Sequence, residues 1–147
     1  MQTSQIRDWM TADPITAPPT MSLPEALQVM ARHNIRRLPV VDNGKLVGIV
    51  TRGDLRGAQP SRATSLSVFE LHYLVGRITL DQIMTRDPLT VEADTTVQDA
   101  ARLMLQHKIS GLPVMRQGKL VGIITESDIF RLVVRAWEAQ PEPEAGR

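Results

Sequence analysis

The apolar positions of the chain predict the same helix twice. Their spacing of three and four residues is that of a helix with one buried face. They are Leu23, Ala26, Leu27 and Met30 in the first segment, and Val97, Ala100, Leu103 and Met104 in the second. A polar pair of the capping-box type precedes each segment, Ser22-x-x-Glu25 or Thr96-x-x-Asp99. We therefore predict one helix after Ser22 and an equivalent one after Thr96.

Two apolar segments follow each predicted helix, and their pattern predicts a β-hairpin. In the first half, "LPVVD" and "KLVGIVT" flank Asn43-Gly44. In the second half, "LPVM" and "KLVGIIT" flank Gln117-Gly118. An Asn-Gly pair between apolar segments is a strong signal for a two-residue hairpin turn. A second helix is expected to begin just after Thr51 in one half and just after Thr125 in the other.

Short extended pieces are expected ahead of the first helix in each half. Asp13-Pro14 and Asp87-Pro88 disfavour helix before the proline and lead into Ile15–Thr16 and Leu89–Thr90. The predicted order in each half is therefore β-α-β-β-α, and the fold class is α/β (α+β).

The two halves are a tandem repeat. A shift of 74 residues aligns Met10–Arg56 with Met84–Phe130 without a gap, and about twenty of the forty-seven pairs are identical. Each repeat is too small to bury a good core alone. We expect the two repeats to pack face to face about a pseudo-twofold axis.

Four segments follow from this organisation. Repeat 1 is predicted at 1–62 and repeat 2 at 80–137. Between them, residues 63–79 have apolar side chains at mostly helical spacing, which predicts a linker helix packed on the domain or at a dimer seam. Residues 138–147 have few apolar side chains and two prolines, so we predict a disordered tail.

Composition narrows the function classes. Of the 147 residues, 42% are hydrophobic, only 3% are aromatic, and none is cysteine. The absence of cysteine excludes disulfides and thiolate metal sites. The net charge of +1 does not predict nucleic-acid binding. With no apolar run long enough for a membrane span and no signal-peptide pattern, a cytoplasmic location is expected.

The chain contains no standard catalytic motif, and we do not expect an enzyme. The repeated Thr-x-x-Asp, Thr51/Asp54 and Thr125/Asp128, allows two interpretations. In the first, the threonine and aspartate cap their own helix. In the second, a carboxylate at a strand-to-helix junction accepts the hydroxyl groups of a ribose. The two interpretations are compatible, and both stay open at this point.

The pattern "MTxDPxT … LPVhxxGKLVGIhTxxD" occurs twice and resembles a tandem pair of CBS domains, a Bateman module. The resemblance covers residues 5 to 136. The linker "AQPSRATSLSVFELHYLVGRITLDQIM" is further similar to bacterial CBS pairs of the acetoin-utilisation type. The resemblance implies two clefts, each with its base-contacting strand from one repeat and its T-x-x-D turn from the other. It also implies a ligand that contains adenosine, either AMP, ADP, ATP or S-adenosylmethionine.

The resemblance assigns residues to both clefts. The first cleft would be formed by Ile15, Thr16, Ile35, Arg36, Arg37 and Pro39 with Thr125, Ser127 and Asp128. The second would be formed by Leu89, Thr90, Ile109, Ser110, Gly111 and Pro113 with Thr51, Gly53 and Asp54. No catalytic or metal-ligating residue is implied.

The two clefts differ in chemistry. Arg36 and Arg37 can bind phosphate through paired N–H groups, and Ser127 adds a hydroxyl group beside Asp128. At the equivalent places the second cleft has Ser110-Gly111 and Gly53. We therefore expect a phosphorylated nucleotide in the first cleft. Alternatively, Arg36 and Arg37 are solvated or pair with Asp42 or Glu126.

The leading hypothesis is a regulatory homodimer that senses adenine nucleotides, needs no obligatory cofactor, and passes binding on to an unknown effector protein as a change of shape. The alternative is a ligand-free scaffold for protein interaction and dimerisation. Nucleic acid and membrane are not expected partners.

Overall fold

The structure is a computed structural model that describes residues 4–60 and 65–140. The described chain forms a mixed α/β fold in two compact units, each with its own core. One unit is residues 15–88, and the other combines residues 1–14 with 89–147. The predicted repeat boundaries at residues 62 and 80 stay predictions.

The unit of residues 15–88 is organised around a three-stranded sheet. Its helices are α1 (Leu23–His33), α2 (Arg52–Gly57), α3 (Val68–Gly76) and α4 (Leu80–Ile83). Its strands are β2 (Arg37–Asp42), β3 (Lys45–Thr51) and β4 (Thr85–Arg86), in the order β2-β3-β4. Fully buried side chains from α1, the hairpin, α2 and α4 form the core, among them Leu23, Leu38, Val50, Leu55 and Leu80.

The other unit repeats the same plan. Its helices are α5 (Val97–His107) and α6 (Glu126–Glu138). Its strands are β1 (Thr11–Ala12), β5 (Val91–Glu92), β6 (Gly111–Arg116) and β7 (Lys119–Thr125), in the order β1-β7-β6-β5. Its core contains Ile6, Leu112, Val114 and Ile124, which are all 0% exposed.

Both hairpins form as predicted. The β2–β3 pair turns at Asn43-Gly44 with φ of 51° and 80°, and the β6–β7 pair turns at Gln117-Gly118 with φ of 51° and 77°. Positive φ at both central residues is the type I′ conformation, whose twist matches that of the strands.

Both first helices also begin where predicted, but their caps are only half of a capping box. The Ser22 hydroxyl oxygen accepts from the Glu25 N–H at 3.3 Å, and the Thr96 hydroxyl oxygen accepts from the Asp99 N–H at 3.1 Å. The Asp99 carboxylate does not return the bond to Thr96. It pairs with Arg102 at 2.7 Å instead.

The predicted extended pieces at Ile15–Thr16 and Leu89–Thr90 were placed two residues too early. Backbone pairing occurs at Ala17, which bridges Val40, and at Val91–Glu92, which is β5. The reason is burial: the side chains of Ala17 and Val91 are 2% and 6% exposed and belong to the cores, so these positions join the sheets.

Two short strands, β1 and β4, were not predicted. Thr11 pairs with Ile123 on β7, although Thr11 belongs to repeat 1. Thr85 pairs with Ile49 on β3, although Thr85 precedes the first helix of repeat 2. Each sheet is therefore completed by a segment that the sequence alignment assigns to the other repeat.

The linker region contains α3, as the apolar spacing predicts, but no residue of this helix is fully buried. Val75 packs partly against the core of its unit, whereas Phe69 is 87% exposed and Tyr73 is 63% exposed. Residues 63–64 of the predicted linker and 141–147 of the predicted tail lie outside the described residues. The α6 helix ends at Glu138, at the first residue of the predicted tail.

Candidate functional site

In the unit of residues 15–88, the candidate ribose acceptor Asp54 is fixed by its own helix cap. The Thr51 N–H donates to Asp54 Oδ2 at 2.9 Å, and the Asp54 N–H donates to Thr51 Oγ1 at 3.1 Å. This reciprocal pair is a complete capping box at the start of α2. The capping interpretation is therefore confirmed here. The second carboxylate oxygen of Asp54 has no hydrogen-bond partner among the described residues.

The other candidate acceptor, Asp128, is more deeply buried and more fully bonded. Its side chain is 4% exposed. Oδ2 accepts from the Thr125 N–H at 2.9 Å and from the Thr125 hydroxyl group at 3.2 Å. Oδ1 accepts from Arg131 at 2.7 Å. Both oxygens therefore already have donors, and one of these donors is a cation.

Each unit places its T-x-x-D turn beside the strand that starts its own hairpin. Arg37 is the register partner of Thr51, and the Arg52 N–H donates to the Arg36 carbonyl oxygen at 2.8 Å. In the other unit, the Glu126 N–H donates to the Ser110 carbonyl oxygen at 3.0 Å. The structure thus brings together, within one repeat, residues that the sequence assigned to different clefts. The pairing of segments from different repeats stays a prediction.

The remaining predicted site residues divide by burial. The exposed ones are Thr16, Leu89, Gly53 and Ser127. Those of intermediate exposure are Ile15, Thr90, Ile35, Ile109 and Gly111. Pro39 and Pro113 are among the fully buried side chains. The Pro39 carbonyl oxygen also accepts the Ala17 N–H at 3.0 Å. The two prolines therefore support the sheets from within, whereas the exposed and intermediate residues offer accessible surface.

Gly53 and Ser127 differ by an exposed hydroxyl group. A Cβ atom on Gly53 would meet only Thr51 Oγ1, at 3.7 Å, which is an ordinary contact. Space therefore does not require glycine there, and the absence of the hydroxyl group is a chemical difference between the two turns.

Charge at the site is uneven, and one important residue was missed from the sequence. Arg36 is exposed and forms no ion pair with Asp42, Glu126 or any other described carboxylate. Arg131, which pairs with Asp128, was not predicted. The signal was its i,i+3 spacing on α6, because residues three apart are neighbours on a helix surface. The equivalent position in repeat 1 is Gly57, so Asp54 has no such partner.

The described residues contain no group of three histidine, aspartate or glutamate side chains that could hold a metal ion. None of the described helices has both the length and the apolar character needed to cross a bilayer.

The family model for the CBS domain matches residues 6–61 and 74–135. Among curated proteins, inosine-5′-monophosphate dehydrogenase from Korarchaeum cryptofilum is 39% identical over 119 residues, which are 80% of this chain. The chain spans only 22% of that enzyme. A CBS domain-containing protein from Dictyostelium discoideum is 37% identical over 128 residues, which cover 82% of this chain and 84% of the relative.

Several solved structures match this chain in both fold and length. The CBS domain pair of protein MJ0100, in complex with 5′-methylthioadenosine and S-adenosyl-L-methionine, has a TM-score of 0.76 and 34% identity over 91% of this chain and 98% of that one. A structure named as an acetoin utilisation protein (AcuB) from Vibrio cholerae has a TM-score of 0.79 and 33% identity over 95% and 98% of the two chains. CBSX2 in complex with AMP has a TM-score of 0.73 and 32% identity over 91% and 98%.

Two family matches cover most of the chain, and relatives above 30% identity are matched over most of their own length. This chain belongs to the CBS domain family and carries a tandem pair of CBS domains.

Proposed function

We propose that this CBS pair is a regulatory module that binds adenosine-containing ligands in clefts formed by both repeats and relays binding as a change of shape. The observation that carries the proposal is the aspartate of each T-x-x-D turn, which its cap holds in a fixed orientation. A carboxylate held in this way can accept the two hydroxyl groups of a ribose without paying the entropy of ordering its own side chain. The adenosine ligands of MJ0100 and CBSX2 support the ligand class.

The predicted residues of each cleft have the groups that such a ligand needs. Thr125, Ser127 and Asp128 would receive the ribose of one ligand, with Arg36 and Arg37 near its phosphate. Thr51 and Asp54 would receive the ribose of the other, with Ser110 and Gly111 leaving room beside it. A ligand that touches both repeats favours the arrangement in which both contacts are made, and this differential affinity is what shifts the population.

Calorimetric titration with AMP, ATP and S-adenosyl-L-methionine tests the proposal. Asp54→Asn and Asp128→Asn keep a side-chain acceptor for the capping N–H while removing the charge that the ribose would use. We expect each variant to weaken one binding event by about tenfold, because a hydrogen bond to a charged group contributes about 1.5–3 kcal/mol. Asp99→Asn is the control, since Asp99 lies on the exposed face of α5. No binding by the parent chain to any of the three ligands would refute the proposal.

We further propose that the module is a homodimer in the cytoplasm and that an effector protein receives its signal. The α6 helix supports self-association, because Phe130, Val134 and Trp137 are 62%, 45% and 66% exposed and follow one another by four and three residues. Leu105 on α5 of the same unit is 81% exposed. Such a cluster of exposed apolar side chains is characteristic of an interaction surface.

A second copy of the chain is the occupant that we propose for this surface. Trp137→Glu places a charge on this surface and is expected to convert the dimer to a monomer in sedimentation equilibrium. Gln140→Glu adds the same charge just beyond the end of α6 and should leave the dimer intact. A parent chain that is monomeric at high concentration would contradict the proposal.

A further inference from the structure

A basic groove lies entirely within the unit of residues 15–88. Its volume is about 520 Å³, which is within the range of small-molecule sites. The α1 helix supplies apolar lining through Leu27 and Met30. The polar lining consists of Asn34, Arg36, Arg52, Arg56 and Gln59. The groove thus combines an apolar wall with three guanidinium groups.

The local structure brings the three arginine side chains together at this groove. Arg52 and Arg56 are four residues apart on α2, so their side chains lie on the same face of the helix. Arg36 is held beside the start of α2 by the 2.8 Å hydrogen bond from the Arg52 N–H to its carbonyl oxygen. Helix periodicity and this backbone hydrogen bond therefore fix the backbone positions from which all three side chains extend.

The three guanidinium groups have no counter-charge in the described structure. All three residues are exposed, none forms an ion pair with a described carboxylate, and no aspartate or glutamate lines the groove. Three like charges around one cavity repel each other, and a bound anion relieves this repulsion. A ligand with several negative charges would relieve the most repulsion and would therefore bind most favourably.

Comparison with the second repeat shows that the arginines are specific to this groove and do not simply reflect the abundance of arginine in the chain. The positions equivalent to Arg36, Arg52, Arg56 and Gln59 are Ser110, Glu126, Phe130 and Val133. Repeat 2 has therefore replaced every cation of the groove by a neutral, acidic or apolar residue. An anion site at this place is expected once per chain.

We propose that the groove is a binding site for a diphosphate group. Guanidinium groups match phosphate oxygens in pairs, and the three positive charges exceed the negative charge of a single phosphate or carboxylate. Inorganic pyrophosphate and the terminal phosphates of ADP or ATP share this chemistry. Arg36 belongs also to the first proposed nucleotide cleft, so the nucleotide form of this proposal rests on the proposed function. S-adenosyl-L-methionine, which has no phosphate, would leave the groove empty.

The primary experiment is calorimetric titration of the full chain with inorganic pyrophosphate at about 0.15 M salt, where long-range charge effects are largely screened. We expect one site per chain. The double variant Arg52→Gln/Arg56→Gln should raise the Kd by about tenfold or more. The control is Arg32→Gln/Arg102→Gln, which removes the same charge from exposed positions outside the groove and should leave the Kd unchanged. Circular dichroism verifies that both variants are folded.

Titration with ADP and AMP distinguishes the two sources of the diphosphate. Saturable pyrophosphate binding that only the groove variant weakens supports the site, even if AMP, ATP and S-adenosyl-L-methionine all fail to bind and the proposed function is wrong. Tighter binding of ADP than AMP, lost in the groove variant, supports the nucleotide form. The proposal is overturned if pyrophosphate does not bind and ADP shows no advantage over AMP. It is also overturned if the control variant weakens binding as much as the groove variant does.

Discussion

At the scale of single residues, the two T-x-x-D aspartates have the same sequence motif but different availability. Asp54 keeps one carboxylate oxygen without a described partner, whereas both oxygens of Asp128 are occupied, one of them by Arg131. In the proposed clefts, a ribose hydroxyl group would therefore reach Asp54 directly but would share Asp128 with a cation. The sequence favoured the cleft of Asp128 because of Arg36, Arg37 and the hydroxyl group of Ser127, and the pairing of Asp128 with Arg131 weakens that preference.

The pair of Asp128 with Arg131 should contribute measurably to stability. Removing the cation leaves a carboxylate of 4% exposure with one charged partner fewer. We expect Arg131→Gln to lower the free energy of unfolding by about 1–2 kcal/mol, as measured by urea denaturation. The matched control is Arg102→Gln, because the Arg102–Asp99 pair has the same 2.7 Å distance and the same spacing but side-chain exposures of 75% and 57%. Its loss should cost less than about 0.5 kcal/mol. Equal losses would show that burial does not distinguish the pairs.

At the scale of elements, the glycine in the repeated "KLVGI" strand is explained by the close approach of a neighbouring strand. A Cβ atom on Gly48 would lie 2.9 Å from the Thr85 carbonyl oxygen, and one on Gly122 would lie 2.9 Å from the Thr11 carbonyl oxygen. Glycine is therefore required where β4 pairs with β3 and where β1 pairs with β7, since the two backbones approach too closely for any side chain.

Alanine substitution tests this close approach. We expect Gly48→Ala and Gly122→Ala each to lower the free energy of unfolding by about 1–3 kcal/mol, because the added methyl group must displace neighbouring backbone. Gly57→Ala at the end of α2 is the control, since a Cβ atom there meets nothing within 4 Å. Its effect should be neutral or slightly stabilising, because alanine favours helix over glycine. Thermal unfolding of the three variants gives the comparison. A destabilised Gly57→Ala protein with unchanged strand variants would contradict the interpretation.

Most elements could be predicted because their signals are local. The helices follow from apolar spacing and from Ser22 and Thr96 as caps, and the hairpins follow from their turn residues. The strands β1 and β4 could not be predicted, because two-residue strands such as Thr11–Ala12 have no periodicity of their own. Their existence depends on a partner more than 100 residues away in one case, with glycine inside a strand as the only sequence signal. The candidate site was likewise predictable as far as its caps and the i,i+3 spacing of Arg131, whereas the convergence of Arg36, Arg52 and Arg56 depends on the folded backbone.

At the scale of the whole molecule, the chain has two cores whose membership does not follow chain order. Ile6 stands at the start of the sequence but belongs to the core of the unit that contains α5 and α6. Leu80 follows the linker but belongs to the core of the unit that contains α1 and α2. Both side chains are 0% exposed.

Hydrogen exchange should show to which core each of these two side chains belongs. We expect Ile6→Ala to lower stability by about 2–4 kcal/mol and to reduce protection mainly in residues 89–138. Leu80→Ala, a substitution of the same kind, should reduce protection mainly in residues 17–58. Mass spectrometry of the exchanged peptides distinguishes these patterns. Loss of protection in residues 17–58 by Ile6→Ala would contradict the division.

The exchanged strands β1 and β4 have a consequence for any attempt to divide the chain. The segment from Ile15 to Pro88 is continuous in sequence, whereas its companion is assembled from both sides of it, so one unit is inserted into the other. A cut in the linker would separate each hairpin from the short strand that completes its sheet. Two such fragments could restore both sheets only by recombining, and one repeat alone would have to take the equivalent strand from a second copy of itself, as in domain swapping. The natural excision points of this protein are therefore its two Asp-Pro turns, not its linker.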